Sequence, residues 1–295
     1  MSRCIKRVTA FILTFVLLAG LCESMTITVY AESSEFTIDR NGVLTGYHGV
    51  GGNVIVPEGV ISIGKKAFSG CNNVVTVKLP SSVKTIEESA FDSCNELTGI
   101  TLSQNLESIE DSAFWGCKSL KSVQIPDSVT SIGFGAFCNC DSLNDIYLSK
   151  NVTNIGNYAF GFHFSGGYKP VAGFSIMGIN KSFAQSYADK YSIPFLTKSD
   201  LKTTLSSVTK KTSSKMTVKW KKNTKVTGYQ IQYSTSSKFA ASKSKTVTVK
   251  KDTTTSKTIS SLTKGKTYYV RIRGYRTIGG KTYYSAWGKV KKVTL

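Results

Sequence analysis

The sequence predicts a multidomain, β-rich protein in which a short solenoid of repeated coils is followed by one β-sandwich. Three observations lead to this fold class: an internal period of 23 residues early in the chain, short strand-like runs after residue 205, and an abrupt change of charge between the two regions. With 295 residues and 40% hydrophobic content, the chain is long enough for two domains that each bury a core.

The amino-terminal residues have the composition of a secretory signal peptide. Three basic residues among the first seven precede an apolar run from Val8 to Leu21, which is shorter than the ~20 residues that a membrane-spanning helix needs. Val29-Tyr30-Ala31 fits a cleavage site. We therefore expect residues 1–31 to be removed and Glu32 to begin the mature chain. The mature protein is then secreted or extracellular, associated with the cell surface, and without a transmembrane span.

The repeated unit carries an Ala-Phe pair and an isoleucine five residues before the phenylalanine. The pairs end, at intervals of 23 residues, at Phe68, Phe91, Phe114, Phe137 and Phe160. Two further apolar columns alternate with polar residues, which is the pattern of a half-buried strand. A coil that buries only one side of itself is unstable alone, so the units must stack with equivalent side chains above one another. These columns are predicted to be scaffold rather than binding site.

A cysteine column follows the same period. Cys71, Cys94, Cys117 and Cys140 are predicted to be buried free thiols that pack as small hydrophobes. Five cysteines remain after signal cleavage, and because this number is odd they cannot all pair within one chain. Cys138 belongs to a variable column that should face solvent, so we predict that its thiol is accessible.

The repeated unit is similar to the BspA-like type of leucine-rich repeat. The segment Val77-Lys78-Leu79-Pro80, continued by Ile86, Phe91 and Cys94, shows that pattern almost complete, although serine replaces the usual proline in two other coils. The resemblance implies a leucine-rich-repeat solenoid of five 23-residue coils over residues 53–163, with a capping element at each end.

Both expected caps are visible in the sequence. Residues 32–52 contain two short apolar runs around Asn41-Gly42, a strong hairpin signal, and resemble the family's amino-terminal cap. In residues 164–197, apolar residues at helical spacing precede Ile193-Pro194-Phe195, which is similar to the family's closing helix and strand. An end coil without a cap would expose its apolar columns to water.

Residues 205–295, after a linker at 198–204, resemble a fibronectin type III β-sandwich. Trp220 lies on an alternating run that fits the second strand, and Leu262 precedes Tyr268 by six residues, the spacing of the tyrosine corner. The chain contains no Arg-Gly-Asp sequence, so the integrin-binding function known for this fold has no support here.

The basic residues are concentrated in the sandwich. Residues 1–200 hold 15 Lys and Arg against 17 Asp and Glu, whereas residues 201–295 hold 23 basic residues and only Asp252. This charge creates a long-range positive field that would attract anionic wall polymers, glycosaminoglycans or nucleic acid, the last without sequence specificity. A second interpretation stays open, in which Lys, Thr and Ser only keep the domain soluble and protect its edge strands.

The sequence predicts no catalytic, cofactor-binding or metal site, and therefore no enzyme. His48 and His163 are the only histidines, and both are expected on turns or at the surface. Cys138-Asn139-Cys140 is too close a pair for an ordinary zinc site, and the glycines do not form a phosphate-binding loop.

The candidate binding surface has three parts. One row of outward positions on the stacked strands contains Ile55, Lys78, Thr101, Gln124 and Tyr147. On the sandwich, a basic and aromatic set predicted to share the outer face of a sheet contains Tyr269, Arg271, Arg273 and Tyr275. Trp115 is either an exposed interface anchor or a residue that packs on a neighbouring coil's turn. For the row of outward positions, the alternative interpretation is a sheet face that contacts only solvent.

The resemblance implies a secreted or cell-surface adhesion or protein-interaction protein. In this interpretation the solenoid provides a recognition face and the basic sandwich binds anionic surface polymers. The expected partners are host matrix or cell-surface proteins, other microbial surfaces, and anionic wall polymers or glycosaminoglycans. The alternatives are a non-specific wall-retained spacer and, more remotely, an extracellular hydrolase.

Overall fold

The computed structural model describes residues 35–295, and the predicted signal peptide and cleavage site lie outside the described residues. The solenoid and its caps contain sixteen strands: β1 (Phe36–Ile38), β2 (Val43–Tyr47), β3 (Gly52–Ile55), β4 (Ser62–Ile63), β5 (Val74–Lys78), β6 (Thr85–Ile86), β7 (Gly99–Thr101), β8 (Ser108–Ile109), β9 (Ser122–Val123), β10 (Ser131–Ile132), β11 (Asp145–Tyr147), β12 (Asn154–Ile155), β13 (Phe162–Phe164), β14 (Tyr168–Pro170), β15 (Ser175–Met177) and β16 (Phe195–Leu196). Within the described part of the chain, one α-helix occurs, α1 (Phe183–Lys190).

Each coil contributes one strand to each of two stacks. One sheet has the order β1-β2-β4-β6-β8-β10-β12, and the second has the order β3-β5-β7-β9. A three-stranded sheet, β11-β15-β16, follows the second one. Between consecutive coils the pairing is parallel and keeps residues 23 apart side by side, as Ile63 beside Ile86 shows. The predicted stacked solenoid is confirmed.

The phenylalanine column forms the centre of the solenoid core. Neighbouring rings from Phe68 to Phe160 stack with centroid distances of 4.8, 5.1, 4.9 and 4.9 Å, and each ring is at most 1% exposed. Tyr47 stacks on Phe68 at one end, 4.9 Å between centroids, and Tyr187 meets Phe160 edge-on at the other. The caps therefore continue the aromatic column instead of leaving its ends in water.

The two caps use different local chemistry. β1 and β2 pair antiparallel around Asn41-Gly42, where Gly42 has a φ of +76° that favours glycine. At the other end α1 begins after Ser182, whose hydroxyl accepts a hydrogen bond from the Gln185 N–H. The Tyr187 hydroxyl accepts from the Phe160 N–H at 2.9 Å and donates to the Phe160 carbonyl at 3.1 Å. It thus satisfies backbone groups that have no further coil to pair with.

The cysteine column is buried, and within residues 35–295 none of its members forms a disulfide, as predicted. The Cys94 thiol donates to the carbonyl of Phe68 at 3.0 Å, and the next two cysteines of the column repeat this contact one coil further on. Burial raises the pKa of Cys94, which keeps it protonated.

The prediction that Cys138 is accessible is wrong, because this residue is fully buried. The hairpin β13–β14, which belongs to the carboxy-terminal cap, is fastened to the adjacent turn, where the Phe164 N–H donates to Asn139 Oδ1 at 2.6 Å. Burial raises the pKa of Cys138 to about 11. A variable column faces solvent only where nothing else in the fold covers it.

The carboxy-terminal domain contains eight strands: β17 (Leu205–Thr212), β18 (Lys215–Trp220), β19 (Gly228–Ser234), β20 (Ser244–Val249), β21 (Ser256–Ile259), β22 (Thr267–Ile278), β23 (Lys281–Tyr284) and β24 (Lys291–Thr294). One sheet is β17-β18-β21, and the other is β20-β19-β22-β23, with β24 also paired to β22. Met216, Val218 and Trp220 are buried between them. The Thr263 N–H donates to the Tyr268 hydroxyl at 2.9 Å, which confirms the expected tyrosine corner.

Candidate partner-binding surfaces

The first half of the predicted row forms an open face on the second solenoid sheet. Parallel pairing places Ile55 beside Lys78 and Lys78 beside Thr101, and all three side chains are exposed. They border a groove of about 540 Å³ whose lining includes Asn53, Ile55, Lys78, Thr101, Gln104 and Gln124. Lys78 is the one charged side chain among its lining residues, and the others include both amide or hydroxyl side chains and aliphatic ones. The groove is therefore a nearly neutral surface of mixed polar and apolar character.

A turn of the sandwich domain closes this groove. Gly279, between β22 and β23, lies against the backbone of Val123 and Gln124 and also lines the groove. Gly279 has a φ of +58°, and a Cβ there would come within 2.6 Å of the Val123 carbonyl oxygen. Both facts require glycine at this contact. The groove is thus lined by two domains rather than by the solenoid alone.

The last member of the row, Tyr147, is covered by the sandwich. Its ring stacks on that of Tyr283, with 4.2 Å between centroids and 23° between planes. Burial raises the pKa of both hydroxyls. The free row therefore ends near Gln124, and Tyr147 serves the contact between domains.

An arginine beside this ring pair joins the two domains by hydrogen bonds. Arg276 on β22 donates to Asp145 Oδ2 from Nε at 3.0 Å and from Nη2 at 2.8 Å, and Nη2 also reaches Ser175 Oγ at 3.2 Å. Sequence reasoning missed these residues. One signal was available, because Asp145 is the only charged residue in a column otherwise made of Asn53, Thr76, Gly99 and Ser122.

The segment predicted as a linker, 198–204, lies in this contact. Leu201 is fully buried in the sandwich core, and Met177 and Leu196 of the solenoid cap join the same cluster. Asn223 donates through Nδ2 to the Asp200 carbonyl at 2.8 Å. Apolar burial, an ion pair and hydrogen bonds together fasten the two domains to each other.

The predicted basic face of the sandwich has a structural use. The planes of Arg271 and Arg273 alternate with aromatic rings, in a ladder that runs Phe239, Arg271, Trp287, Arg273, Tyr284, with guanidinium-to-centroid distances of 4.1, 4.7, 4.3 and 4.0 Å. The Nε of each arginine donates at 2.8 Å to a glutamine on β19. Burial lowers the pKa of both arginines. Their charges are therefore held within the face rather than extended from it.

The two tyrosines of that face differ. Tyr269 is half-buried, opposite Ser234, whereas Tyr275 is only 6% exposed and directs its hydroxyl to the Val249 carbonyl at 3.4 Å. The expectation that Tyr275 is available on the outer face is therefore wrong. It lies beside Gly228, where the lack of a side chain leaves room for its ring.

Trp115 takes the second of its two predicted positions. It is half-buried, with its ring centroid 6.0 Å from that of Phe164 and 6.3 Å from that of Tyr168, and it lies against Gly135 on the next coil's turn. Its role is to hold the β13–β14 hairpin against the solenoid.

Across residues 35–295, no group of three or more His, Cys, Asp or Glu is placed to hold a metal ion. His163 pairs with Asp141 at 3.0 Å, and His48 with the Thr37 hydroxyl at 3.0 Å. Over the same range, no helix has the length and apolar composition to cross a membrane.

A parallel solenoid of 23-residue coils, joined to a two-sheet β-sandwich with a tyrosine corner, defines a two-domain protein built from repeat and binding modules. Family models agree: residues 52–164 match the BspA type leucine rich repeat region in six copies, and residues 203–290 match the fibronectin type III domain. The chain belongs to the BspA-type leucine-rich repeat proteins and carries a fibronectin type III domain. Neither family is a family of enzymes.

Solved bacterial leucine-rich repeat structures are similar to this chain. The Treponema pallidum leucine rich repeat protein is 35% identical over 49% of this chain and 69% of its own, with a TM-score of 0.45. A leucine rich cell surface protein from Faecalibacterium prausnitzii is 30% identical over 52% of this chain and 39% of its own, with a TM-score of 0.44. A Bacteroides capillosus leucine-rich repeat protein is 31% identical over 38% of this chain and 91% of its own, with a TM-score of 0.32. No curated protein matches.

Proposed function

We propose that this chain is a bacterial surface interaction protein that holds a protein partner in the groove between the second solenoid sheet and the Gly279 turn. The repeat and fibronectin families support a surface protein-interaction role in general. The observation that carries the specific proposal is the groove itself, which has a volume of about 540 Å³ and contributions from both domains.

The lining of the groove fits an extended polar segment of a partner. Ile55 is 70% exposed at one end, and Thr101 lies midway along the floor. Amide and hydroxyl groups on strands ~4.8 Å apart offer repeated hydrogen-bond positions to such a segment. Expected partners are proteins of host matrix, host cells or other microbes.

A pull-down with residues 32–295 tests the groove. Lys78→Glu reverses its one charge, and Thr101→Trp fills it without changing charge, so each variant should lose a partner that the parent chain retains. Lys118→Glu, on an exposed turn, makes the same charge change elsewhere and should keep the partner. Equal retention by all three variants would reject the groove and favour the non-specific spacer.

The charge of the sandwich favours a second role in the same protein, retention on an anionic surface. Twenty-three basic residues and one acidic residue lie in 201–295. In this role the basic domain keeps the chain at an anionic surface while the groove takes its partner. Deleting a domain that is docked to the solenoid would disturb both surfaces, so the test uses the lysine substitutions described below.

A further inference from the structure

One end of the sandwich gathers lysines from separate segments into a cleft. The residues Lys202, Lys221, Lys222 and Lys225, here called the lysine cleft, line a depression of about 430 Å³ together with threonines and Asn223. All four lysines are exposed. Lys202 precedes β17, and the other three follow β18, so the fold rather than the sequence brings them together.

Hydrogen bonds beneath the cleft hold its walls at a fixed separation. The buried Thr203 hydroxyl donates to the Lys221 carbonyl at 2.6 Å. On the other side, Asn223 Nδ2 donates to the Lys202 carbonyl at 2.9 Å. The backbone that carries the lysines is therefore ordered before any ligand arrives, which lowers the entropy lost on binding.

A buried tyrosine ties a second lysine-bearing loop to this cleft. The Tyr229 ring is fully buried, and its hydroxyl accepts from the Asn223 N–H at 2.9 Å and donates to the Asp252 carbonyl at 2.9 Å. This places the loop that carries Lys250 and Lys251 next to the cleft. The cationic surface then extends from the lysine cleft to the neighbouring loop.

The lysine charges are largely uncompensated. Lys225 pairs with Asp200 at 3.1 Å, and the other three lysines of the cleft form no ion pair with an acidic residue within the described range. The domain's arginines have other contacts, since Arg271 and Arg273 lie in the aromatic ladder and Arg276 binds Asp145. The charge offered to a ligand here consists of ammonium groups only.

We propose that the lysine cleft and the adjoining Lys251 bind a linear phosphodiester polymer, with the ammonium groups contacting its phosphates. Ammonium groups act as point charges with no fixed acceptor geometry, which suits phosphates that each carry one charge along a flexible chain. The inference deepens the retention role and rests on the proposed function for the presence of such a polymer at the surface.

Matched variants of the chain 32–295 test the site. In the cleft variant, glutamine replaces Lys202, Lys221, Lys222 and Lys251, and Lys225 is kept because its ammonium pairs with Asp200 at 3.1 Å. The control variant has glutamine in place of Lys238, Lys243, Lys264 and Lys266, which are exposed in the segments between strands at the opposite end of the sandwich. Both variants lose the same net charge.

Binding to synthetic poly(glycerol phosphate) is measured at several salt concentrations, with heparin as a second probe. Loss of four contacts should lower the slope of log affinity against log salt by about three, and reduce affinity about 100-fold near physiological salt. The control variant should stay within about threefold of the parent, because distant charges are screened. Unchanged melting temperatures exclude unfolding as the cause.

Each other outcome overturns the assignment. Equal losses in the two variants would mean that binding follows overall charge and not this cleft. Tighter binding of heparin through the same lysines would mean that the polymer class is wrong. The groove variant Lys78→Glu should lose the protein partner and keep poly(glycerol phosphate). Because the groove and the cleft are tested with different variants and different ligands, either proposal can fail without the other.

Discussion

The contact between Arg276 and Asp145 should fix the sandwich to the solenoid, and replacing either residue by a neutral amide should loosen this junction. The two side chains are 20% and 22% exposed and share hydrogen bonds of 3.0 and 2.8 Å. An exposed ion pair contributes about 0.2–1 kcal/mol, whereas breaking a buried one costs about 3–5 kcal/mol. For this partly buried, doubly hydrogen-bonded pair we expect a coupling free energy of about 1.5–2 kcal/mol.

A double-mutant cycle measures this coupling. Arg276→Gln, Asp145→Asn and the double variant are compared by chemical denaturation, and hydrogen exchange is followed in residues 274–284 and 143–149. A coupling of about 1.5 kcal/mol corresponds to roughly a tenfold change in the docking equilibrium. Amides of both segments should therefore exchange faster in each single variant.

An exposed pair in the same chain provides the reference. Lys65 and Glu88 bond at 2.7 Å, but their side chains are 57% and 48% exposed. The same cycle with Lys65→Gln and Glu88→Gln should give a coupling of at most about 1 kcal/mol and leave the junction unchanged. If the Arg276 cycle gave no more than this reference pair, the ion pair would not be what holds the domains together.

Three further predictions concern the cores and the sandwich face. Phe114→Ala should destabilise the solenoid by about 3–5 kcal/mol in denaturant titration, because the ring is fully buried between two others. The control Phe183→Ala, at a ring that is 56% exposed, should cost less than about 1 kcal/mol. Similar losses of stability in the two variants would contradict the stacked core. Trp287→Ala should cost about 1–4 kcal/mol by thermal unfolding, because it removes both central arginine–ring contacts, and an unchanged melting temperature would refute the ladder. Burial raises the pKa of Cys138 from 9.0 to about 11, so a thiol reagent at pH 8 should leave it unlabelled. Its contribution to stability is complete below pH 9 and is lost as pH rises through 11. Rapid labelling of the native chain would show that the cap hairpin is open.

The repeated part of the fold could be predicted because equivalent positions in stacked coils have equivalent surroundings. One phenylalanine column in the sequence therefore becomes one column of rings in the core. Cys138 shows the limit of this reasoning. Its own column is variable, and the element that covers it is the cap hairpin β13–β14, whose position follows from contacts that no period encodes.

The candidate site was predicted less well for a related reason. Alternation along β22 correctly predicted that Arg271 and Arg273 share one face, because this depends only on the geometry of the strand itself. Alternation did not predict that the Trp287 ring lies between them, because Trp287 belongs to a segment without regular alternation. Tyr147 was expected in a free row, and its stacking on Tyr283 joins residues of two domains that no local pattern links.

The side chain of Arg276 links the solenoid to the loop that lines the lysine cleft. Its guanidinium binds Asp145 on the solenoid and also donates from Nη1 to the carbonyl of Lys225 at 3.1 Å, within the loop that lines the cleft. The groove is nearly neutral and the cleft is cationic, so one ligand does not satisfy both by the same chemistry. The two proposed ligands would therefore occupy separate surfaces, which Arg276 connects through the junction between the domains. Arg276→Gln should then weaken retention of the partner even though Arg276 touches neither ligand, and normal retention would show that the two surfaces act separately.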